Sequence, residues 1–125
     1  MIVLTKALIL IMILLHFYFM ILEMFFWTKP AGRKAFGMSL DQAESSKKLA
    51  ANQGLYNGFL SAGLLWGLLD PRPFFGISIQ IFFLSCIVTA GVFGAWTVHR
   101  KIFWIQAFPA ILALIALSFA WPWWI

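Results

Sequence analysis

Long apolar runs and short polar breaks alternate along this chain. Residues 7–27 are apolar but for His16 and Glu23, and residues 74–98 and 102–125 are nearly unbroken. Residues 52–69 form a fourth run, which opens on the amide-rich string NQGLYNGFL, Asn52 to Leu60. Each run is close to the ~20 residues that carry a helix across a ~30 Å hydrocarbon core. The pattern predicts an all-α integral membrane four-helix bundle, one transmembrane domain over residues 1–125. Its helices are expected over about 3–27, 40–69, 74–98 and 102–123, with a cytoplasmic loop over about 28–39.

The breaks carry their own chemistry. Lys29-Pro30-Ala31-Gly32 ends the first helix, and Asp70-Pro71-Arg72-Pro73 forms a tight turn whose last proline suits the first turn of the next helix. Ser39-Leu40-Asp41-Gln42 fits a capping box, so the second helix is expected to start near Leu40 and run about 30 residues, or ~45 Å. Pro109 removes a donor within the fourth helix and leaves the carbonyl of Ile105 without its helical partner, so a kink is expected there. Lys6 ahead of the first run has the look of a secretion signal. The continuation HFYFMILEMFFW is too bulky for a small-residue cleavage site, and a retained helix is expected.

Composition agrees with the pattern. Apolar residues make up 63% and charged residues 10%, against roughly 45–50% and 25% in soluble domains. The net charge of +5 is no nucleic-acid footprint, because the basic residues sit at run borders rather than along one patch. Lys29, Arg33, Lys34, Lys47, Lys48, Arg100 and Lys101 lie in the first and third connections, against Lys6 and Arg72 on the other side. Seven against two puts those connections in the cytoplasm and both termini outside. Trp27, Trp66, Trp96, Trp104, Trp121, Trp123 and Trp124 cluster at run ends, as interfacial anchors do. The single cysteine, Cys86, allows no disulfide framework within the chain.

Depth gathers the polar residues into one layer. With Lys47 and Lys48 at the cytoplasmic interface, Asn52, Gln53, Tyr56 and Asn57 lie about 6–14 Å inward, and Glu23 lies ~9 Å inward from Lys29 on the antiparallel first helix. Thr97 and Gln106 reach the same half from the third and fourth helices. At 100° per residue His16 and Glu23 share a direction to within roughly 20°. Gly54, Gly58 and Ala62 form a small-residue ridge expected to lie opposite the mean direction of Gln53, Tyr56 and Asn57. Comparable small stripes are Cys86-Ala90-Gly94-Thr97 and Gln106-Ala110-Ala113. Small residues beside larger polar ones leave room for a pocket.

An acidic side chain inside a membrane is a functional-site hypothesis by default, so Glu23 leads the candidates for ligand binding: His16, Glu23, Asn52, Gln53, Tyr56, Asn57, Thr97 and Gln106. No phosphate loop, zinc-spaced Cys/His cluster or serine elbow is present, so neither a metal nor a cofactor is expected.

His16, Leu22-Glu23-Met24, Trp27, the string Asn52 to Leu60, Val92-Phe93-Gly94-Ala95-Trp96-Thr97, and Gln106 with Pro109-Ala110 together resemble the domain of unknown function 1304 family. The resemblance implies a small four-helix protein of the bacterial inner (plasma) membrane and no particular activity. Three functions remain open. A polar cavity binds or transports a small polar molecule or lipid head group, with Glu23 changing protonation as it loads. Alternatively, Glu23 and His16 act as an acid–base pair of a membrane-embedded enzyme. In the third, the polar cluster only staples helices in a structural subunit. Binding or transport comes first, because no nucleophile or metal set is present; membrane lipids are the expected partners, and a homodimer would add the volume that four short helices lack.

Reporter fusions after Lys34 and at Ile125 are expected to report opposite compartments, cytoplasmic and external; equal compartments would refute the four-span count.

Overall fold

The computed structural model describes residues 2–120. Among these the protein is all-helical: α1 (Ile2–Phe25), α2 (Pro30–Phe36), α3 (Leu40–Leu69), α4 (Pro73–Thr97), a π-helical turn (Phe103–Ala107) and α5 (Phe108–Ala120). Trp121, Trp123, Trp124 and the end of the expected fourth helix fall outside the described residues. Among the described residues three segments are long and apolar enough to cross a membrane: Ile2–Phe25, Pro73–Thr97 and Phe103–Ala120. Helix α3 is the longest at 30 residues but is not among them. Asp41, Glu44, Lys47 and Lys48 charge its first half, and Asn52, Gln53 and Asn57 dilute the apolar run that follows.

Two compact units make up the chain, one of residues 14–61 and one of residues through Ile13 together with those from Ala62 onward. The first unit contains the later part of α1, all of α2 and the earlier part of α3. Helix α3 begins with the expected capping box: the Ser39 N–H donates to Gln42 Oε1 at 3.0 Å and the Gln42 N–H to Ser39 Oγ at 3.2 Å. Such a cap contributes about 1 kcal/mol.

The segment expected as a plain loop instead holds α2. Pro30 occupies its first turn, where a missing N–H costs nothing. Gly37 closes it at φ 63°, and the Met38 N–H donates to the Arg33 carbonyl at 2.9 Å, a Schellman-type ending. Gly32 is buried because α2 lies directly on the α1 exit: a Cβ there would overlap the Phe26 carbonyl oxygen and stand 2.9 Å from Trp27 Cα. Phe36 then packs its ring 4.8 Å from Trp27 and 6.4 Å from Phe19.

In the second unit the α3–α4 turn is fixed by Asp70 and Arg72. One Asp70 oxygen accepts the Arg72 backbone N–H at 2.9 Å and Nε at 3.0 Å, while the other accepts the guanidinium at 2.9 Å. The Arg72 side chain first, then its backbone amide, hold the Asp70 carboxyl at about 2. This depressed value makes the pairing fully present above the ordinary carboxylate range and lost as pH falls toward 2. Arg72 also lies 4.2 Å over the Phe75 ring. Just beyond, Gln80 Nε2 donates to the Gly67 carbonyl at 2.7 Å, and a Cβ at Gly76 would stand 2.6 Å from that same oxygen.

Helix α4 buries Gly76, Ile79, Gln80, Leu84, Ile87 and Gly91. The expected stripe through Cys86, Ala90, Gly94 and Thr97 is therefore one residue out of phase; Ala90 and Thr97 are exposed. Gly91 instead meets Ala107, where an added Cβ would come within 2.7 Å of the backbone nitrogen. Ala107, Ala110, Ala113 and Ala116 are buried in turn, and Thr5 Oγ1 donates to the Ala116 carbonyl at 3.2 Å. The irregularity expected at Pro109 takes the form of the π-helical turn just before it, where the Phe108 N–H reaches back five residues to the Phe103 carbonyl.

Gly32→Ala should undock α2, since the added methyl meets backbone rather than a movable side chain, at a cost of about 1–3 kcal/mol. Hydrogen exchange across residues 30–36 should accelerate while that of α4 stays unchanged; unaltered protection would show that α2 is not held by this contact.

Candidate functional site

The residues expected to gather around Glu23 belong largely to the 14–61 unit, and the helical periods explain which of them do. On α1, His16 and Glu23 are buried, at 0% and 3% exposure, with Phe19 and Met20 half-buried between them. On α3 the buried positions of this unit are Ala43, Ala50, Gly54, Asn57 and Ser61, the three-and-four spacing of a coiled-coil seam. Glu23 meets that seam at its centre. Gln53 Nε2 donates to Glu23 Oε1 at 3.0 Å, and Asn57 Nδ2 donates to Glu23 Oε2 at 2.7 Å.

Glycine makes this contact short enough. A Cβ at Gly54 would stand 2.8 Å from Met24 Cγ and 2.9 Å from Glu23 Cβ, and one at Gly58 would stand 2.7 Å from Met20 Sδ. Gly54 and Gly58 thus turn toward α1 together with the amides that grip Glu23. The small ridge and the polar face are therefore not opposed as expected: Asn57 shares the buried seam with Gly54, and Tyr56 alone of the polar residues counted in that direction makes no bond to Glu23.

The other candidates are placed as follows. Asn52 and Tyr56 are exposed and make no hydrogen bond to Glu23; the Tyr56 ring packs 6.0 Å from Phe59. His16 sets its ring edge-on to Phe19 at 6.0 Å. It stands seven residues before Glu23, ~10.5 Å of helical rise, and no hydrogen bond joins the two. Thr97 and Gln106 belong to the other unit, where Thr97 Oγ1 donates to the Phe93 carbonyl of its own helix at 2.8 Å and Gln106 is half-buried in the π-helical turn.

One participant was absent from the expected set. Trp27 Nε1 donates to Ser46 Oγ at 3.0 Å, and Ser46 Oγ donates to the Gln42 carbonyl at 2.6 Å. The signal lay in the antiparallel order: Trp27 follows Glu23 beyond the end of α1 as Ser46 precedes Gln53 on α3, so both lie toward the same end of the helix pair.

Beside these contacts lies an open cleft of about 320 Å³, lined by Glu23, Trp27 and Thr28 from the α1 end and by Lys47, Lys48 and Ala51 from α3. Lys47 Nζ is engaged by Glu44 at 2.8 Å. Among the described residues Lys48 has no partner, no Lys or Arg pairs with Glu23, and no group of three or more side chains could hold a metal. A larger groove of about 500 Å³ runs along α4 between Phe82 and Phe93, but its walls are almost wholly apolar.

The chain matches the family model described as protein of unknown function (DUF1304) over residues 10–118. It belongs to that family. The uncharacterized protein YpaA of Lactococcus lactis subsp. lactis (strain IL1403) is 33% identical over 119 residues, covering 94% of this chain and 98% of the relative. No solved structure matches the chain. The region matched by the family model contains Glu23, both amides that hold it and both lysines of the cleft.

Asn57→Leu is expected to lower stability in detergent by about 1–2 kcal/mol, more than the ~0.6 kcal/mol average for hydrogen bonds between membrane helices, because a carboxylate loses a donor. Combined with Glu23→Leu it should cost less than the sum of the two single changes; strict additivity would deny the pairing.

Proposed function

We propose that the protein is a four-helix integral membrane protein of the bacterial plasma membrane, with both termini outside the cytoplasm, whose cleft at Glu23 binds a small polar molecule or lipid head group from the cytoplasmic side. One observation carries this reading: Glu23, whose buried carboxyl is already gripped by two amides, is also among the residues lining an open cleft. A pure staple needs only packing around its polar contact, as Gln80 has at Gly67. Here one flank of the contact is left unpacked and edged with cations.

The amides also support α3 as the fourth span. Asn57 and Gln53 give their N–H groups to Glu23 rather than to lipid, which removes much of the cost of carrying them into hydrocarbon. Nothing comparable supports an acid–base enzyme, since His16 is not among the residues lining the cleft.

The test is native mass spectrometry of the full chain released from membranes into mild detergent. Wild-type protein should carry a small-molecule or lipid adduct, and Glu23→Gln should lose it while remaining monodisperse. Adduct-free wild-type protein, or an adduct indifferent to Glu23→Gln and Asn57→Leu, would overturn the reading.

A further inference from the structure

The charges around the cleft are mismatched in a way that specifies an occupant. Each Glu23 oxygen accepts a single amide N–H, whereas a carboxylate offers about four acceptor sites. Gln53 and Asn57 satisfy part of its hydrogen bonding but, being neutral, supply no counter-charge when Glu23 is ionised. Buried charges are normally paired, and among the described residues no Lys or Arg answers Glu23. At the same cleft Lys48 is a cation without an anion, its neighbour Lys47 being engaged by Glu44. One wall therefore lacks a positive group and the other a negative one.

Spacing and size narrow the chemistry. Lys48 precedes Gln53, whose amide touches Glu23, by five residues, ~7.5 Å of helical rise. An amine set two carbons from a phosphate, met by a flexible lysine stem, bridges such a gap. The volume of about 320 Å³ lies at the lower end of the ~300–1,000 Å³ usual for ligand clefts, enough for a head group. Trp27 and the lysine pair also belong to the residue types that mark head-group depth.

We infer that the cleft binds a phosphoethanolamine unit, its primary ammonium donating to the Glu23 carboxylate and its phosphate meeting Lys48. This rests on the cleft being the binding site proposed above. The unit has two sources, the head group of phosphatidylethanolamine or soluble phosphoethanolamine.

The experiment presents the full chain in detergent with phosphatidylethanolamine, phosphatidylcholine or phosphatidylglycerol and reads retention by native mass spectrometry, with size exclusion and melting as controls for folding. Wild-type protein should retain phosphatidylethanolamine roughly tenfold over the other two, because a quaternary ammonium has no N–H to donate and a glycerol hydroxyl donates without a positive charge. Glu23→Gln should erase that preference. Lys48→Gln, a change at the cleft mouth that leaves the helix contact intact, should reduce retention of phosphatidylethanolamine and phosphatidylglycerol alike. Displacement by free phosphoethanolamine would identify the soluble source and its failure the lipid; either agrees with the inferred chemistry. Equal retention of all three lipids, still dependent on Glu23 and Lys48, would overturn the phosphoethanolamine assignment and leave the cleft as a binding site. Retention indifferent to both variants would overturn both.

Discussion

A carboxylate on a mostly apolar helix has to be solvated by the protein, and the 14–61 unit is organised around doing so for Glu23. Amide donors must reach two oxygens from the neighbouring helix, and Asn57 has only a short side chain with which to do it. The reach of 2.7 Å is met because Gly54 and Gly58 let the α1 and α3 backbones approach where any side chain would collide with Met20, Met24 or Glu23 itself. Small residues and amides form one device here: the glycines set the helix separation, and the amides exploit it.

The same close approach recurs at the α1 exit. Gly32 lets α2 rest on the Phe26–Trp27 backbone, Phe36 then covers the Trp27 ring, and the indole N–H is turned to Ser46 on α3. Trp27 is thus held in place by a ring contact and a hydrogen bond, a firmer constraint than an interfacial anchor requires. That firmness matters because Trp27 forms part of the cleft wall.

What was legible in the sequence follows from which geometry a sequence encodes. Rise along a helix is constant, so equal depth of Glu23 and the Asn52–Asn57 amides follows from counting residues, and the Gln53 and Asn57 bonds are where that count puts them. The Ser39–Gln42 cap and the Asp70–Pro73 turn are equally local and equally readable. Azimuth is less secure, because the face that packs depends on the partner helix: the seam runs through Gly54, Asn57 and Ser61, and leaves Asn52 and Tyr56 outside it. On α4 the same uncertainty shifted the buried stripe by one residue. Helix α2 was obscured because Pro30 and Gly32 read as breakers, although one starts the helix and the other docks it. The π-helical turn had no local signature except its neighbour Pro109.

On the proposed reading, staple and binding site are compatible roles for Glu23. A carboxylate that met only solvent or ligand would have no fixed orientation, and an occupant would bear the cost of ordering it. Two amide bonds, one to each oxygen, set the plane of the carboxylate in advance, so that whatever enters the cleft meets a preorganised acceptor. Neutral amides are suited to that role where lysine or arginine would not be: a cationic partner would orient the carboxylate but also neutralise it, and the attraction for a second cation would be lost. On the proposed reading, the choice of Gln53 and Asn57 as partners leaves an ionised Glu23 free to meet a cation outside the helix pair.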